Sequence, residues 1–193
     1  MITVNRSLYK LCILLLSFFS IIMAEENTNK KEAFFAAGCF WGVESTFQQL
    51  EGFESTSVGY TGGKVKNPSY ELVCTGITDH AEAVQVVYDA SVISYEQLLD
   101  TFFDLHDPTT MDRQGPDIGS QYRSAVFFKN EEEKTLVEVK ISQVNESGKF
   151  RSRVVTEVAP LSDFYDAEDY HQDYYKKRGI VGCAISVSYT HLT

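Results

Sequence analysis

Residues 32–42 have the sequence Glu32-Ala33-Phe34-Phe35-Ala36-Ala37-Gly38-Cys39-Phe40-Trp41-Gly42, which is the most informative local pattern in the chain. Its first half, residues 32–37, is a short and almost continuous apolar run, which is typical of a buried strand. The following residues, 40–50, carry Val43, Phe47 and Leu50 at helical spacing. The stretch therefore predicts a strand that runs directly into a helix, with Cys39 at the junction.

Strands and helices alternate along the rest of the chain, and no internal repeat is visible. Strands are also predicted at 53–60, 84–88, 123–128 and 154–158. Helices are predicted behind a Ser94/Gln97 capping box, after Asn130, and over the tyrosine-rich residues 166–177. Residues 61–69 and 106–121 are expected to be long coil segments, and a connection as long as the second is more often functional than idle. This order of elements predicts an α+β two-layer sandwich.

Composition limits the chain to one ordinary globular domain. Its 193 residues are 44% hydrophobic and 23% charged, as in a packed soluble protein. The formal net charge of −10 argues against a surface that neutralises phosphates, so nucleic acid is not expected as a partner. Four cysteines are too few for a disulfide-dense miniature protein.

The first 24 residues are expected to be a signal peptide. Arg6 and Lys10 form a basic start, residues 11–23 are an almost unbroken apolar run, and Ala24 precedes two acidic residues. The run is short for a spanning helix, although an uncleaved interfacial anchor is the alternative. We expect a secreted or periplasmic domain over 25–193, with no stable membrane association once processed and with a poorly patterned tail from about residue 179.

Cys39 has the sharpest chemical context in the chain. Gly38 and Gly42 flank it, and the chain's single tryptophan, Trp41, follows closely. Amides at a helix N-terminus favour a thiolate, so we expect a thiol pKa below its ordinary value. The alternative is a buried structural cysteine, which is the commoner state of a lone thiol. The neighbouring residues favour a nucleophile.

The sequence from Gly38 to Glu44 resembles the signature of the A-type peptide methionine sulfoxide reductases. The match extends, in the family's order, over roughly residues 31–177. It includes blocks at 59–63, 67–70, 80–84, 106–109, 113–117, 121–124 and 167–172. As a set these blocks are far more specific than any one motif. The resemblance implies a ferredoxin-like plait with a mixed sheet.

The resemblance also assigns roles to individual residues. Cys39 matches the nucleophile that attacks the sulfoxide sulfur, and Glu82 matches the acid that protonates the leaving oxygen. Tyr70 and Tyr122 match the hydroxyl donors to that oxygen, and Asp117 matches a carboxylate that orders water. The rings that receive the substrate's S-methyl group match Phe40 and Trp41. Burial beside aromatic rings would raise the pKa of Glu82, as a general acid near neutral pH requires.

Each assignment has a plainer alternative. A glutamate in an alternating strand usually faces solvent, tyrosines are often half-buried without a catalytic role, and Asp117 could be a turn residue. A zinc site at Cys74, His80 and His106 has no standard spacing, and no metal is expected. We interpret Cys74 as a buried structural thiol.

The expected function is reduction of methionine S-sulfoxide, protein-bound and free, through a cysteine sulfenic acid and then a disulfide. Cys183 lies at an offset similar to that of a recycling cysteine in the family, although the β-prone residues around it depart from the family's tails. We expect no metal, flavin or nicotinamide, with a thioredoxin-like thiol as electron donor, and we expect a monomer. The alternatives are a thiol peroxidase that uses the same sulfenic acid and an inactive secreted binding domain.

Overall fold

A six-stranded mixed sheet organises the chain, of which this computed structural model describes residues 29–180. The strand order is β7-β6-β1-β3-β2-β8, and β4 and β5 form a separate two-stranded ribbon. Antiparallel pairs join β1 to β6, β2 to β3 and β2 to β8, whereas β6 and β7 are parallel. The strands are β1 Lys30–Ala37, β2 Phe53–Thr61, β3 Ala81–Asp89, β4 Arg113–Gln114, β5 Asp117–Ile118, β6 Ser124–Phe128, β7 Glu157–Pro160 and β8 Tyr165–Asp166.

Residues 29–180 also form five helices and one 3₁₀ turn, and the last helix follows the last strand. Two of them begin as the sequence predicts: Ser94 and Gln97 form a capping box before α3, and the Asn130 side chain caps α4. The helices are α1 Phe40–Phe47, α2 Tyr70–Cys74, α3 Tyr95–Leu105, α4 Glu131–Glu146 and α5 Tyr174–Lys177, and the 3₁₀ turn is Ser120–Tyr122.

The second half of strand β1, residues 33–37, is apolar because both of its faces are covered. Phe35 packs beneath the helices, with its ring 5.1 Å from that of Phe47 in α1 and 5.3 Å from that of Phe102 in α3. Phe34 points to the opposite face, where the coil at Phe164 covers it at a ring separation of 5.5 Å. The helices thus pack on one face of the sheet, which confirms the α+β two-layer sandwich.

Two predicted elements were wrong. The predicted helix over 166–177 is mostly turns after β8, and only Tyr174–Lys177 is helical. Its polar groups bond to other parts of the fold: the amide of Ala167 donates to the Val58 carbonyl, and the amide of Val58 donates to the Gln172 side chain. The last predicted strand starts late, at Glu157, because the amide of Val155 donates to Pro108 in the long loop rather than to the sheet.

Some expectations lie outside the described residues, namely the signal peptide over 1–24 and Cys183. Between residues 29 and 180, no helix has both the length and the apolar character that crossing a membrane requires.

Candidate active site

Cys39 is the N-cap residue of α1, directly after β1. Gly38 makes this junction possible because its φ of +93° lies in the left-handed region that favours glycine. A side chain at this position would also meet Gln114, since a Cβ atom would lie 2.7 Å from the Cβ of that residue. The nucleophile candidate is therefore placed by a glycine that packs against the long loop.

The side chain of Glu82 points from β3 towards the start of α1. It is only 1% exposed, and its Oε2 accepts a hydrogen bond from the backbone amide of Phe40 at 3.1 Å. Burial raises the pKa of this carboxyl to about 8, with a further contribution from the charge of Asp117, against the opposing effect of the Phe40 amide. Glu82 is therefore mostly protonated at neutral pH, as expected, and the solvent-facing alternative is wrong.

The thiol of Cys39 differs from the expectation. Burial raises its pKa to about 12, and the charges of Glu82 and Asp117 act in the same direction. The amides of Trp41 and Gly42 oppose this, but they do not outweigh the loss of hydration. The helix N-terminus was correctly placed, yet the half-buried thiol rests neutral rather than as a thiolate.

The structure brings the other expected polar residues to the same place. Asp117 begins β5, and its charge reaches both Cys39 and Glu82. Tyr122 ends the 3₁₀ turn; burial raises its pKa to about 12, and the charges of Glu82, Asp117 and Cys39 add to this effect. Tyr70 is the first residue of α2, and burial, followed by its contact with Cys74 and the charge of Glu82, raises its pKa. β5, the 3₁₀ turn and α2 thus each bring one of these residues within electrostatic reach of Glu82.

An aromatic cluster lies beside this polar group. The indole Nε1–H of Trp41 donates to Nδ1 of His171 at 3.0 Å. One face of the indole stacks on Tyr174, with the ring centroids 3.6 Å apart and the planes inclined by 3°, and Arg178 lies over the same tyrosine. Phe40 is buried and packs against His171 at a centroid separation of 5.0 Å. The hydrogen bond to His171 therefore fixes the edge of the Trp41 indole, and the stacking on Tyr174 fixes one of its faces.

Sequence reasoning did not single out His171 and Glu168. Both lie in the 167–172 block, which carried the resemblance but received no role. The Glu168 carboxylate accepts hydrogen bonds from the Tyr70 amide at 3.0 Å and from the Tyr60 hydroxyl at 2.9 Å. An acid and a histidine three residues apart on a predicted helix would share a face, which was the available signal. The incorrect helix prediction concealed the actual contacts.

Cys74 is exposed, so its interpretation as a buried thiol was wrong. It ends α2, where partial burial raises the pKa of its thiol and the neighbouring Tyr70 hydroxyl acts in the opposite direction. His80 and His106 both use their ring nitrogens in hydrogen bonds within the fold, His80 with Gly63 and Val65, and His106 with Phe102 and Ser124. Within residues 29–180, no group of three or more His, Cys, Asp or Glu side chains is arranged to bind a metal ion.

A free thiol with a buried carboxylic acid and hydroxyl donors around it defines a thiol-based oxidoreductase site. The family profile described as peptide methionine sulfoxide reductase matches residues 31–191. A relative from Methanosarcina mazei, named peptide methionine sulfoxide reductase MsrA, is 52% identical over 151 residues, which are 78% of this chain and 72% of the relative.

Solved structures agree with this match. Reduced Mxr1 from Saccharomyces cerevisiae is similar with a TM-score of 0.74 and 36% identity, over 78% of this chain and 87% of that one. The same yeast protein in complex with Trx2 has a TM-score of 0.55 and 28% identity, over 76% of this chain and 85% of that one. The chain belongs to the peptide methionine sulfoxide reductase family. This confirms the prediction of an enzyme that reduces methionine sulfoxide by thiol chemistry.

Proposed function

We propose that Cys39 is the nucleophile and Glu82 the general acid in the reduction of the S epimer of methionine sulfoxide, in peptides and as the free amino acid. One observation carries this assignment. Glu82 is buried, has a pKa raised to about 8, and is hydrogen-bonded to the amide that directly follows Cys39. A neutral carboxylic acid is thus fixed beside a thiol, which is the pairing that sulfoxide reduction needs.

The step balances with these two groups. The sulfur of Cys39 attacks the sulfoxide sulfur and forms an S–S bond with it. The oxygen then moves to the Cys39 sulfur as the S–O bond and this S–S bond break, which leaves a sulfenic acid on Cys39 and releases methionine as the thioether. Glu82 donates a proton to the oxygen, and the proton of the Cys39 thiol returns to Glu82. Because both groups rest protonated, no net charge has to be buried before the substrate arrives.

The remaining site residues form a polar side that faces the sulfoxide oxygen and an apolar side that faces the S-methyl group. The hydroxyls of Tyr70 and Tyr122 donate to the oxygen as negative charge develops on it. Asp117 orders water at the polar side, and its charge helps to keep Glu82 protonated. Phe40 and Trp41 form the apolar wall for the S-methyl group. The fixed position of Trp41 supports this role, since a wall discriminates only if it cannot move aside.

The decisive experiment supplies the two separated epimers of methionine sulfoxide, and hydrogen peroxide as a third substrate. We expect rapid single-turnover release of methionine from the S epimer alone. A peroxidase would instead consume peroxide faster than either epimer and would not depend on Trp41. An inactive binding domain would leave Cys39 unreactive in all three reactions.

For recycling, we propose that Cys183 condenses with the sulfenic acid of Cys39 and that a thioredoxin-like protein reduces the resulting disulfide. The chemistry supports this, because a sulfenic acid left open to solvent is prone to further oxidation and a nearby thiol prevents that. The complex of the yeast relative with Trx2 supports a donor of this kind. The enzyme then needs no bound cofactor, since thiols provide both electrons.

Peptide mapping tests the recycling step. One equivalent of methionine sulfoxide without reductant should yield a Cys39–Cys183 disulfide. In Cys183→Ser, about one methionine per enzyme should still be released, after which turnover with thioredoxin should stop. A free sulfenic acid at Cys39 in the parent protein, or a bridge to Cys74, would make Cys183 a bystander.

We also propose that the enzyme works outside the cytosol as a monomer, after cleavage of the leader near Ala24. The basic start, apolar run and small residue at the end of the leader support export and cleavage. Intact mass of protein exported by a bacterial host should match a chain that starts within a few residues of Glu25. A membrane-associated species that retains residues 11–22 would instead indicate an anchor.

A further inference from the structure

The carboxylate of Glu168 lies outside the proposed sulfoxide site but next to residues on both its polar and its apolar side. Glu168 lies in the turn after β8 and is about one third exposed. Its Oε1 accepts from the amide of Tyr70 and its Oε2 from the hydroxyl of Tyr60. The same Oε2 lies 4.0 Å from Nε2 of His171.

The contact with Tyr70 fixes the start of α2. This helix is only five residues long, and its N-cap, Ser69, reaches the amide of Leu72 at 3.4 Å. The first amides of a helix have no partner within the helix, so the amide of Tyr70 depends on an outside acceptor. Glu168 provides that acceptor and thereby sets the position from which the Tyr70 side chain projects.

The contact with His171 connects Glu168 to the apolar side of the site, where Trp41 lies. Because Nδ1 of His171 accepts from the indole of Trp41, the neutral ring carries its proton on Nε2. His171 is 1% exposed, and among residues 29–180 its Nε2 has no hydrogen-bond partner. Glu168 is the acid that the Nε2–H group faces, so the carboxylate favours the tautomer in which Nδ1 stays free to accept from Trp41.

The charge of Glu168 is well supported. Burial alone would raise the pKa of its carboxyl, but the donors from Tyr70, from its own amide and from Tyr60 lower it. Glu168 is therefore ionised at neutral pH. The negative charge of Glu168 attracts three donors from three different segments, namely the Tyr70 amide, the Tyr60 hydroxyl and the Nε2–H group of His171.

We propose that Glu168 is a positioning residue that couples the two sides of the sulfoxide site: through the amide of Tyr70 it places the donor to the oxygen, and through His171 it places the indole that receives the methyl group. This inference rests on the roles proposed above for Tyr70 and Trp41. Glu168 itself touches neither the substrate nor Cys39 in this arrangement, so it acts entirely through other residues.

The test compares Glu168→Gln with Asp169→Asn in the full chain. Both changes remove one negative charge at adjacent positions, but Asp169 is exposed, and it is its backbone oxygen that accepts a hydrogen bond from Lys177. Glutamine keeps one acceptor and turns an amide donor towards the remaining partners. We expect the single-turnover rate to fall about tenfold and KM to rise several-fold in Glu168→Gln, with Asp169→Asn within about twofold of the parent in both.

Two further readouts separate positioning from general destabilisation. The fluorescence emission of Trp41, the only tryptophan, should shift in Glu168→Gln and not in Asp169→Asn. In the Tyr70→Phe background, Glu168→Gln should lose most of its effect on the rate, because the donor that it places is already absent. Fully additive effects, or an unshifted emission with an unchanged rate, would overturn the proposal.

The controls distinguish this proposal from the one on which it rests. If Tyr70→Phe and Trp41→Phe both leave the single-turnover kinetics unchanged, the proposed roles of those residues fail, whatever Glu168→Gln does. If they slow the step and Glu168→Gln does not, only the coupling fails. Should Glu168→Gln not fold, Tyr60→Phe removes one donor from the same carboxylate, and the same signatures at a smaller size are expected. Parent-like kinetics and emission in that variant would then refute the coupling.

Discussion

The carboxyl group of Glu82 and the backbone amide of Phe40 are joined by a 3.1 Å hydrogen bond across 42 positions of sequence. The bond ties strand β3 to the first turn of the helix that follows Cys39. It orients the acid towards the thiol without supplying a positive charge, so burial still decides the protonation of Glu82.

Glu82→Gln should slow the chemical step by a factor of about 10² to 10⁴, the usual contribution of a general acid. The amide side chain can still accept from Phe40 but cannot release a proton to the sulfoxide oxygen. Rapid-quench measurement of methionine release in a single turnover gives the rate. Glu44→Gln is the matched control. Glu44 lies on α1 and is also a buried carboxyl, but it accepts a hydrogen bond from the Thr56 hydroxyl instead of the Phe40 amide. A rate for Glu82→Gln as close to the parent as that of the control would show that Glu82 only packs.

The same substitution should stabilise the fold at alkaline pH. A carboxyl whose pKa is raised from 4.5 to about 8 confers stability that is fully present below about pH 4.5 and is lost as the pH rises through about 8. Glutamine has no proton to lose. The free energy of unfolding in urea should therefore favour Glu82→Gln over the parent by up to a few kcal/mol at pH 9, and the difference should vanish near pH 4. Equal curves at both pH values would mean that Glu82 is not neutral in the folded enzyme.

The pH dependence of the reaction rate should also report the ionisation of Glu82. At low substrate concentration the single-turnover rate constant should fall as the pH rises through about 8, because the acid form of Glu82 is lost. Asp117→Asn should move this midpoint to lower pH, since the charge of Asp117 contributes to the raised pKa. An unmoved midpoint would assign the ionisation to another group.

The two described thiols should behave differently. Cys39→Ser should abolish sulfoxide reduction with the fold intact, because a hydroxyl is a far weaker nucleophile near neutral pH. Cys74→Ser should keep activity, because the proposed chemistry does not use this exposed thiol. Methionine release measures the activity of each variant, and a thermal melt shows whether it is folded. Activity in Cys39→Ser together with loss of activity in a folded Cys74→Ser would exchange the roles of the two cysteines.

Removing the hydroxyls of Tyr70 and Tyr122 together should slow the chemical step further than removing either one, because both donate to the developing oxyanion. The measurement is again the single-turnover rate, for the two Tyr→Phe variants and their combination. If only one single variant is slow and the double variant matches it, the other tyrosine has a structural role.

Local pattern was sufficient where local interactions decide the structure. The apolar run of β1 and the capping box of α3 appear in the structure as the sequence predicts. The helix predicted over 166–177 failed because tertiary partners take the polar groups of Ala167 and Gln172. Propensity cannot register such partners, since they lie more than a hundred positions away.

The site shows the same division between local and distant causes. The position of Cys39 follows from its own neighbours, whereas its pKa is set by burial under the whole fold. An alternating strand gave no sign that Glu82 faces inward; only the family resemblance did. The bond between Trp41 and His171 spans 130 positions, and no local pattern predicts it.

Gly38 restricts the mutational paths that are open to this enzyme. Its positive φ and its approach to Gln114 exclude a side chain on two independent grounds. Shortening Gln114 would relieve the clash but not the backbone strain, and no substitution elsewhere removes a φ of +93° without moving Cys39. Position 38 is thus a site where no second change rescues the first. Under random mutagenesis, selected libraries should retain glycine there even when they tolerate replacement of Gln114.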